Sequence, residues 1–362
     1  MRIALDAATG GTNLAPCIEG AITAANAWGV ELVLVGPAAD IRSALTARGI
    51  AHSDRRFEVI DALDLLPLDE DPAEAGRERP SASLLACARL AAEGRAMGLV
   101  CAGHAGTAAA AMLGNLKRLT GVLRPALAAT LPTPRGHTVL LDVGAHGECK
   151  PWHLLQFAVM GVSYCRRMLR VAEPSVGVLA SDADERRGPG LVRETLALLK
   201  ASGLNCRGPV EGHELAAGAA DVVVCDGFVG NVALKLTQGV SASVLNAFRA
   251  EIRRNHFYKA GGLILRRPFN RLKKRLNPDE CGGATLLGVN GNVVVAHSRT
   301  SAGGIGSSAG AGRTDSLTAS AKSIADSLRA VQQLAERGLN AHIQQALAET
   351  KLGLETVQAQ LP

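Results

Sequence analysis

The sequence predicts an α/β protein with a mostly parallel sheet covered on both sides by helices. Three observations lead there. Short apolar runs rich in β-branched residues alternate with Ala- and Leu-rich segments of helical length, the pattern of strands buried on both faces. The runs end in turns that carry Gly or Asp. Of the 362 residues 47% are hydrophobic and only 3% aromatic, so the core consists of Ala, Val, Leu and Ile. Such small side chains suit close helix–sheet packing.

Residues 3–6 read as the first strand, with Asp6 at its carboxyl end and Gly10-Gly11 in the next turn. An Ala-rich helix over 15–28 follows, then a strand over 30–35 stopped by Gly36-Pro37, then a helix over 41–47. Residues 61–79 are acidic, polar and Pro-containing, which predicts a surface loop. A helix over 83–94 ends at a glycine. The strand 98–102 runs into Gly103-His104-Ala105-Gly106, with helix again over 107–113. A strand over 138–141 ends in Asp142-Val143-Gly144-Ala145, and one over 176–180 ends in the polar loop 181–190. In the stretch 221–239, Val222, Val223, Val224 and Cys225 form a short apolar strand, Asp226-Gly227 breaks it, and Gly230-Asn231 opens a helix. Residues 303–312, rich in Gly, Ser and Ala, predict a flexible connection. Leu317, Ile324, Leu328, Val331 and Leu334 mark one face of a long helix ending at Gly338. The length suits a single α/β domain over 1–338, followed by a helical tail over 339–362.

In open α/β sheets ligands bind beyond the carboxyl ends of the strands. Asp6, Gly103, Asp142, Asp184 and Asp226 all fall at or just past such ends, so the spacing predicts one shared cleft. The glycines let backbone approach a ligand, and helix-start N–H groups would face an anion. Other classes are disfavoured. The eight cysteines are scattered and none stands at C-x-x-C spacing, which predicts buried thiols with neither disulfides nor a metal site. No glycine turn reads G-x-G-x-x-G with a ribose-binding acid, so no nucleotide cofactor is expected. The opening residues lack a leader pattern, and no run has the length of a membrane span, which suggests the cytoplasm. The net charge of +6 is local: residues 249–275 hold ten Lys/Arg and one acid, Glu251, which leaves the rest of the chain at −3.

Four blocks, DGFVGNVALKLTQG at 226–239, DVGAHGECKPWHLLQFAVMG at 142–161, RPALAATLPT at 124–133 and CGGATLLGVNGNVVVAH at 281–297, resemble the bacterial phosphate acyltransferase family. The similarity runs over residues 1–297. It implies a three-layer αβα fold like that of phosphate acetyltransferases and isocitrate or isopropylmalate dehydrogenases. It implies transfer of an acyl group from acyl-acyl-carrier-protein to inorganic phosphate for phospholipid synthesis, without metal or nucleotide. It also implies a homodimer and peripheral attachment to a membrane. The chain departs from the family pattern at several places: Thr12 stands for the second acid of the first turn, His104 and His146 for asparagines, Glu148 for Asp, Arg187 for a lysine, Pro189 for an asparagine, and Ser298-Arg299-Thr300 follows His297.

The resemblance makes Asn231 the leading catalytic donor, although capping the helix it opens is equally good physics. Arg187 occupies the lysine position, where its planar fork binds phosphate but does not copy a compact ammonium. Asp6, Gly10, Gly103, His104, Gly106, Asp142, His146, Lys150, Asp226, Gly227, Gly230 and His297 are the further candidates for phosphate or acyl binding. Lys150 also reads as a carrier-protein contact or a solvated lysine, and His104, His146 and His297 as a modified anion site. Phosphate is itself nucleophilic, so no covalent enzyme intermediate is needed. In the basic segment, Leu263, Ile264, Leu265 and Phe269 lie among cations, as in a hairpin over 245–277 resting on anionic lipid; nucleic acid is not an expected partner. Two alternatives stay open: a binding protein whose substituted loops have lost catalysis, and an acyltransferase that uses another donor such as acyl-CoA.

Overall fold

The structure, a computed structural model, describes residues 2–8, 14–64, 78–79, 81–102, 108–109, 112, 114–185, 188–254, 283–296, 298–300 and 317–350. The chain divides into two compact units. The first comprises Met1–Leu127, Arg167–Arg170 and Gly282–Glu349; the second comprises Ala128–Arg166, Val171–Cys281 and Thr350–Pro362.

The first unit opens with β1 (Arg2–Asp6), α1 (Leu14–Trp28), β2 (Glu31–Gly36), α2 (Ala38–Thr46), β3 (Phe57–Asp61), α3 (Ser83–Ala92) and β4 (Gly98–Ala102). The second holds β5 (Ala126–Thr133), which starts at the boundary, β6 (Gly136–Leu141), α4 (Pro151–Tyr164), β7 (Val176–Ala180), α5 (Gly190–Ala201), β8 (Cys206–Glu211), α6 (Gly212–Ala217), β9 (Val222–Val224) and α7 (Gly227–Arg254). The chain returns to the first unit for β10 (Ala284–Leu287), β11 (Asn292–Ala296), β12 (Ser298–Thr300), β13 (Leu317–Ala319), α8 (Ala321–Glu336) and α9 (Leu339–Glu349).

In the first unit the strand order is β3-β2-β1-β4-β11-β10, all parallel except β10, which runs against β11. In the second the order is β5-β6-β9-β7-β8, with β5 alone antiparallel. The inner strands are apolar and buried through most or all of their length, as helices on both faces require.

Two strands that the sequence hides lie at sheet edges. FEVID in β3 alternates charge with apolar residues, and Glu58 there pairs with Arg2 and Arg95. β8 carries Gly208 and Pro209, which an edge tolerates because one side of the strand needs no ladder donor. The predicted helix face at the C-terminal end also needs correction. Leu317 lies in β13, level with Thr300 of β12. Ser320 then caps α8 by accepting the Ser323 N–H at 3.1 Å, and Ile324, Leu328, Val331 and Leu334 are buried. The tail begins as a packed element, since α9 belongs to the first unit and buries Leu339 and Ile343. The expected flexible connection at 303–312 and most of the basic hairpin lie outside the described residues.

Candidate active site

β6 and β9 are parallel neighbours, with Leu141 level with Val224, so the loops leaving them stand side by side at the carboxyl edge of the second unit's sheet. β7 flanks β9, with Val178 level with Val224, and its loop leaves at the same edge. Asp142, Asp184 and Asp226 therefore share one edge. Asp6 belongs to the first unit, where it is fully buried and accepts the Ala8 N–H at 3.1 Å. Gly10, Gly103, His104, Gly106, Arg187, His297, Leu263, Ile264, Leu265 and Phe269 lie outside the described residues.

The two acids at the shared edge hold the chain. Asp142 is fully buried; its Oδ1 accepts the N–H groups of Gly144 (3.1 Å) and Ala145 (3.0 Å), and its Oδ2 that of His146 (2.8 Å). Asp226 Oδ1 accepts the Val229 N–H at 2.9 Å, the bond an N-cap makes, and its carbonyl accepts the Gly230 N–H at 3.0 Å. The Gly227 N–H donates to the His146 carbonyl at 2.8 Å and ties one loop to the other.

Two expectations change. The helix opens at Gly227 with Asp226 as its cap, so Asn231 lies one turn inside α7 and is not the capping residue. The turn and helix-start N–H groups of Gly144, Ala145, His146, Gly227, Val229 and Gly230 are engaged within the unit. Those six donors are not available to an anion at this edge.

The same closeness explains the glycines. A Cβ on Gly227 would come 2.5 Å from the His146 carbonyl oxygen and 2.7 Å from Asp142 Oδ2. One on Gly230 would fall inside the Asp142 carbonyl, with Cys225 Sγ 2.9 Å away. Gly144 has φ +131°, and a Cβ there would lie 3.6 Å from the Asn231 carboxamide, so Asn231 rests against the 142–146 loop.

Lys150 precedes α4. Its N–H donates to His153 Nδ1 at 3.1 Å, which puts the proton of the neutral ring on Nε2, and its Nζ lies 5.0 Å from the centre of the Trp152 ring. Cys225 sits under the first turn of α7 with Sγ 3.6 Å from the Asp142 carbonyl oxygen. Burial, then the Asp226 and Asp142 charges, push its thiol well above the usual range, so it stays protonated at neutral pH and is no nucleophile. Among the described residues no three His, Cys, Asp or Glu side chains gather as metal ligands would.

Phe228 and Lys235 went unassigned in the sequence, whereas Val232 read with Leu234 and Leu236 as feeding a packed helix; Leu234 is buried, but Val232 and Leu236 are exposed. Phe228, Val232 and Lys235 stand three or four residues from Asn231 or from one another, the spacing of neighbours on one helix face. That spacing becomes readable once the helix start is placed at Gly227.

Residues 1–315 match the family model described as "Fatty acid synthesis protein". Over 359 residues the chain is 37% identical to the phosphate acyltransferase of Elusimicrobium minutum, with 99% of each protein covered. It is 39% identical over 297 residues to that of Geobacter sulfurreducens, covering 82% of this chain and 85% of the relative. Among solved structures, a phosphotransacetylase from Streptococcus pyogenes matches with a TM-score of 0.58 at 14% identity, covering 93% of this chain and 94% of the other. A 4-hydroxythreonine-4-phosphate dehydrogenase from Klebsiella pneumoniae matches with a TM-score of 0.53 at 14% identity, covering 92% and 99%. At that identity the likeness shows the fold alone, a mostly parallel α/β sheet with flanking helices, as the sequence predicts.

Proposed function

The chain belongs to the phosphate acyltransferase family, and from that membership we propose that it moves the acyl group of acyl-acyl-carrier-protein onto inorganic phosphate, supplying acyl-phosphate for phospholipid synthesis. The observation that carries this reading is the likeness to phosphate acyltransferases over 99% of the chain. In the reaction a phosphate oxygen attacks the thioester carbonyl, a C–O bond forms, the C–S bond breaks, and the thiol leaves with the proton phosphate gives up. Asn231 donates its carboxamide N–H to the oxygen on which charge develops, in a site held rigid by Asp142 and Asp226. Arg187 and Lys150 add positive charge for phosphate.

The donor's acyl chain finds apolar surface on the same helix. Phe228, Val232 and Leu236 are 68%, 51% and 65% exposed and lie in one line beside Asn231. The line continues through Val240, Val244 and Phe248, also exposed. Each four-residue step turns it about 40° further, so its two ends face roughly opposite ways and suit different occupants. The far end fits a second copy of the chain in a homodimer. The basic segment 249–275 that follows fits an anionic membrane surface.

Two measurements test this. With purified protein, thiol release from acyl-acyl-carrier-protein should require phosphate and exceed release from acyl-CoA; release indifferent to phosphate would refute the reaction, and a preference for acyl-CoA would refute the donor. A variant with Leu263, Ile264 and Leu265 changed to Asp should stay in the supernatant when wild type sediments with phosphatidylglycerol vesicles. Equal sedimentation would remove the membrane reading.

A further inference from the structure

We propose that Lys235 is a phosphate-binding residue of this site, acting beside Asn231; the proposal rests on the reading of the first turn of α7 as a phosphate site. Six backbone donors of the two turns are already engaged, those of Gly144, Ala145 and His146 with the Asp142 carboxylate, those of Val229 and Gly230 with Asp226, and that of Gly227 with the His146 carbonyl. Those two carboxylates also bring negative charge to the place where a dianion has to sit. Cationic side chains must offset both. Among the described cations on this side of the unit, Lys150 lies over Trp152, and Arg193 stands at the start of α5, which follows the loop of β7 and not that of β6. Lys235 is exposed and makes no hydrogen bond or ion pair with a described residue.

Helix geometry points it at the site. Lys235 follows Asn231 by four residues, so the two share a face of α7 with Cβ atoms about 6 Å apart. Side chains on a helix lean toward its N-terminus and cover the preceding turn. A lysine at 235 therefore covers the turn that carries Asn231 and sweeps its ammonium toward the 142–146 loop. Phe228 and Val232 border the same patch, three residues before Asn231 and Lys235 respectively, and apolar neighbours strengthen an ammonium–phosphate contact by thinning the water around it. The ligand is a phosphate group. Such a group has two sources, inorganic phosphate, which is largely a dianion near neutral pH, and the singly charged phosphodiester of a carrier's prosthetic arm, and we assign inorganic phosphate because Asn231 lies where the new bond forms.

The test uses the full chain with Lys235→Gln and Lys235→Arg. With the thioester donor, Lys235→Gln should raise the KM for phosphate about tenfold or more, the effect of losing one charge-assisted contact. Its KM for the donor should stay within about twofold, and Lys235→Arg should restore most of the phosphate affinity. In parallel, inorganic phosphate alone is titrated into the donor-free protein by calorimetry, which separates this proposal from the activity. Binding by wild type that weakens in Lys235→Gln supports Lys235 even if no thioester turns over. The proposal is overturned by an unchanged phosphate KM and affinity in Lys235→Gln, by a rise confined to the donor KM, or by a wild type that binds no phosphate.

Discussion

Gly230→Ala is expected to destabilise the second unit by about 3 kcal/mol, the upper end of what an added core methyl costs. The new Cβ would fall inside the Asp142 carbonyl and 2.9 Å from Cys225 Sγ. Neither neighbour can step aside. The Asp142 N–H donates to the Cys225 carbonyl at 3.0 Å, and Cys225 is itself bonded back to Leu141 at 2.6 Å. The methyl must therefore push α7 off the loop or break the pairing of β6 with β9. Gly239 supplies the control: it lies in the same helix with nothing within 4 Å of its would-be Cβ. Gly239→Ala should be neutral or add up to about 1 kcal/mol, because alanine favours the helix. Urea unfolding of the three proteins checks this. Equal midpoints for Gly230→Ala and Gly239→Ala would mean that α7 does not press on Asp142.

The second large effect is on rate. Asn231→Ala should lower kcat about a hundredfold or more, the usual cost of removing one donor from a developing oxyanion. Its unfolding midpoint should barely move. The sequence left two roles open for this residue, and the structure separates their consequences. A capping asparagine replaced by alanine costs about 1 kcal/mol of stability and little activity. Here Asp226 makes the capping bond, so the pattern should be reversed: Asp226→Ala loses stability, and Asn231→Ala loses rate. Activity within threefold of wild type in Asn231→Ala, together with a clear loss of stability, would return the residue to a structural role.

The sequence was legible where burial is simple. β1, β4, β7 and β9 are apolar through most or all of their length, and their strand limits read almost directly from the residues. Legibility failed where a residue serves two purposes. Gly227 and Gly230 look like turn residues, yet they sit inside a helix because another loop presses against it, and this displaced the predicted helix start by three residues. Leu317 stands seven residues before Ile324, in phase with the helix face, but a strand and the Ser320 cap intervene. At the site, residue types marked the loops after β6 and β9, which the Gly227 N–H ties together at the His146 carbonyl, whereas the direction of each carboxylate was not in the pattern. Asp142 and Asp226 point at their own backbone and occupy N–H groups of both turns that a phosphate could have taken. Lys235 followed from that finding.

The central claim is that the loop after β6 and the first turn of α7 form a working phosphate site. Phosphorus-31 NMR of the pure protein with inorganic phosphate and acyl-acyl-carrier-protein tests it most directly. The account predicts a growing acyl-phosphate resonance that hydroxylamine removes and that Asn231→Ala suppresses. No acyl-phosphate from this thioester or from acyl-CoA, with the protein folded and the carrier bound, would contradict it.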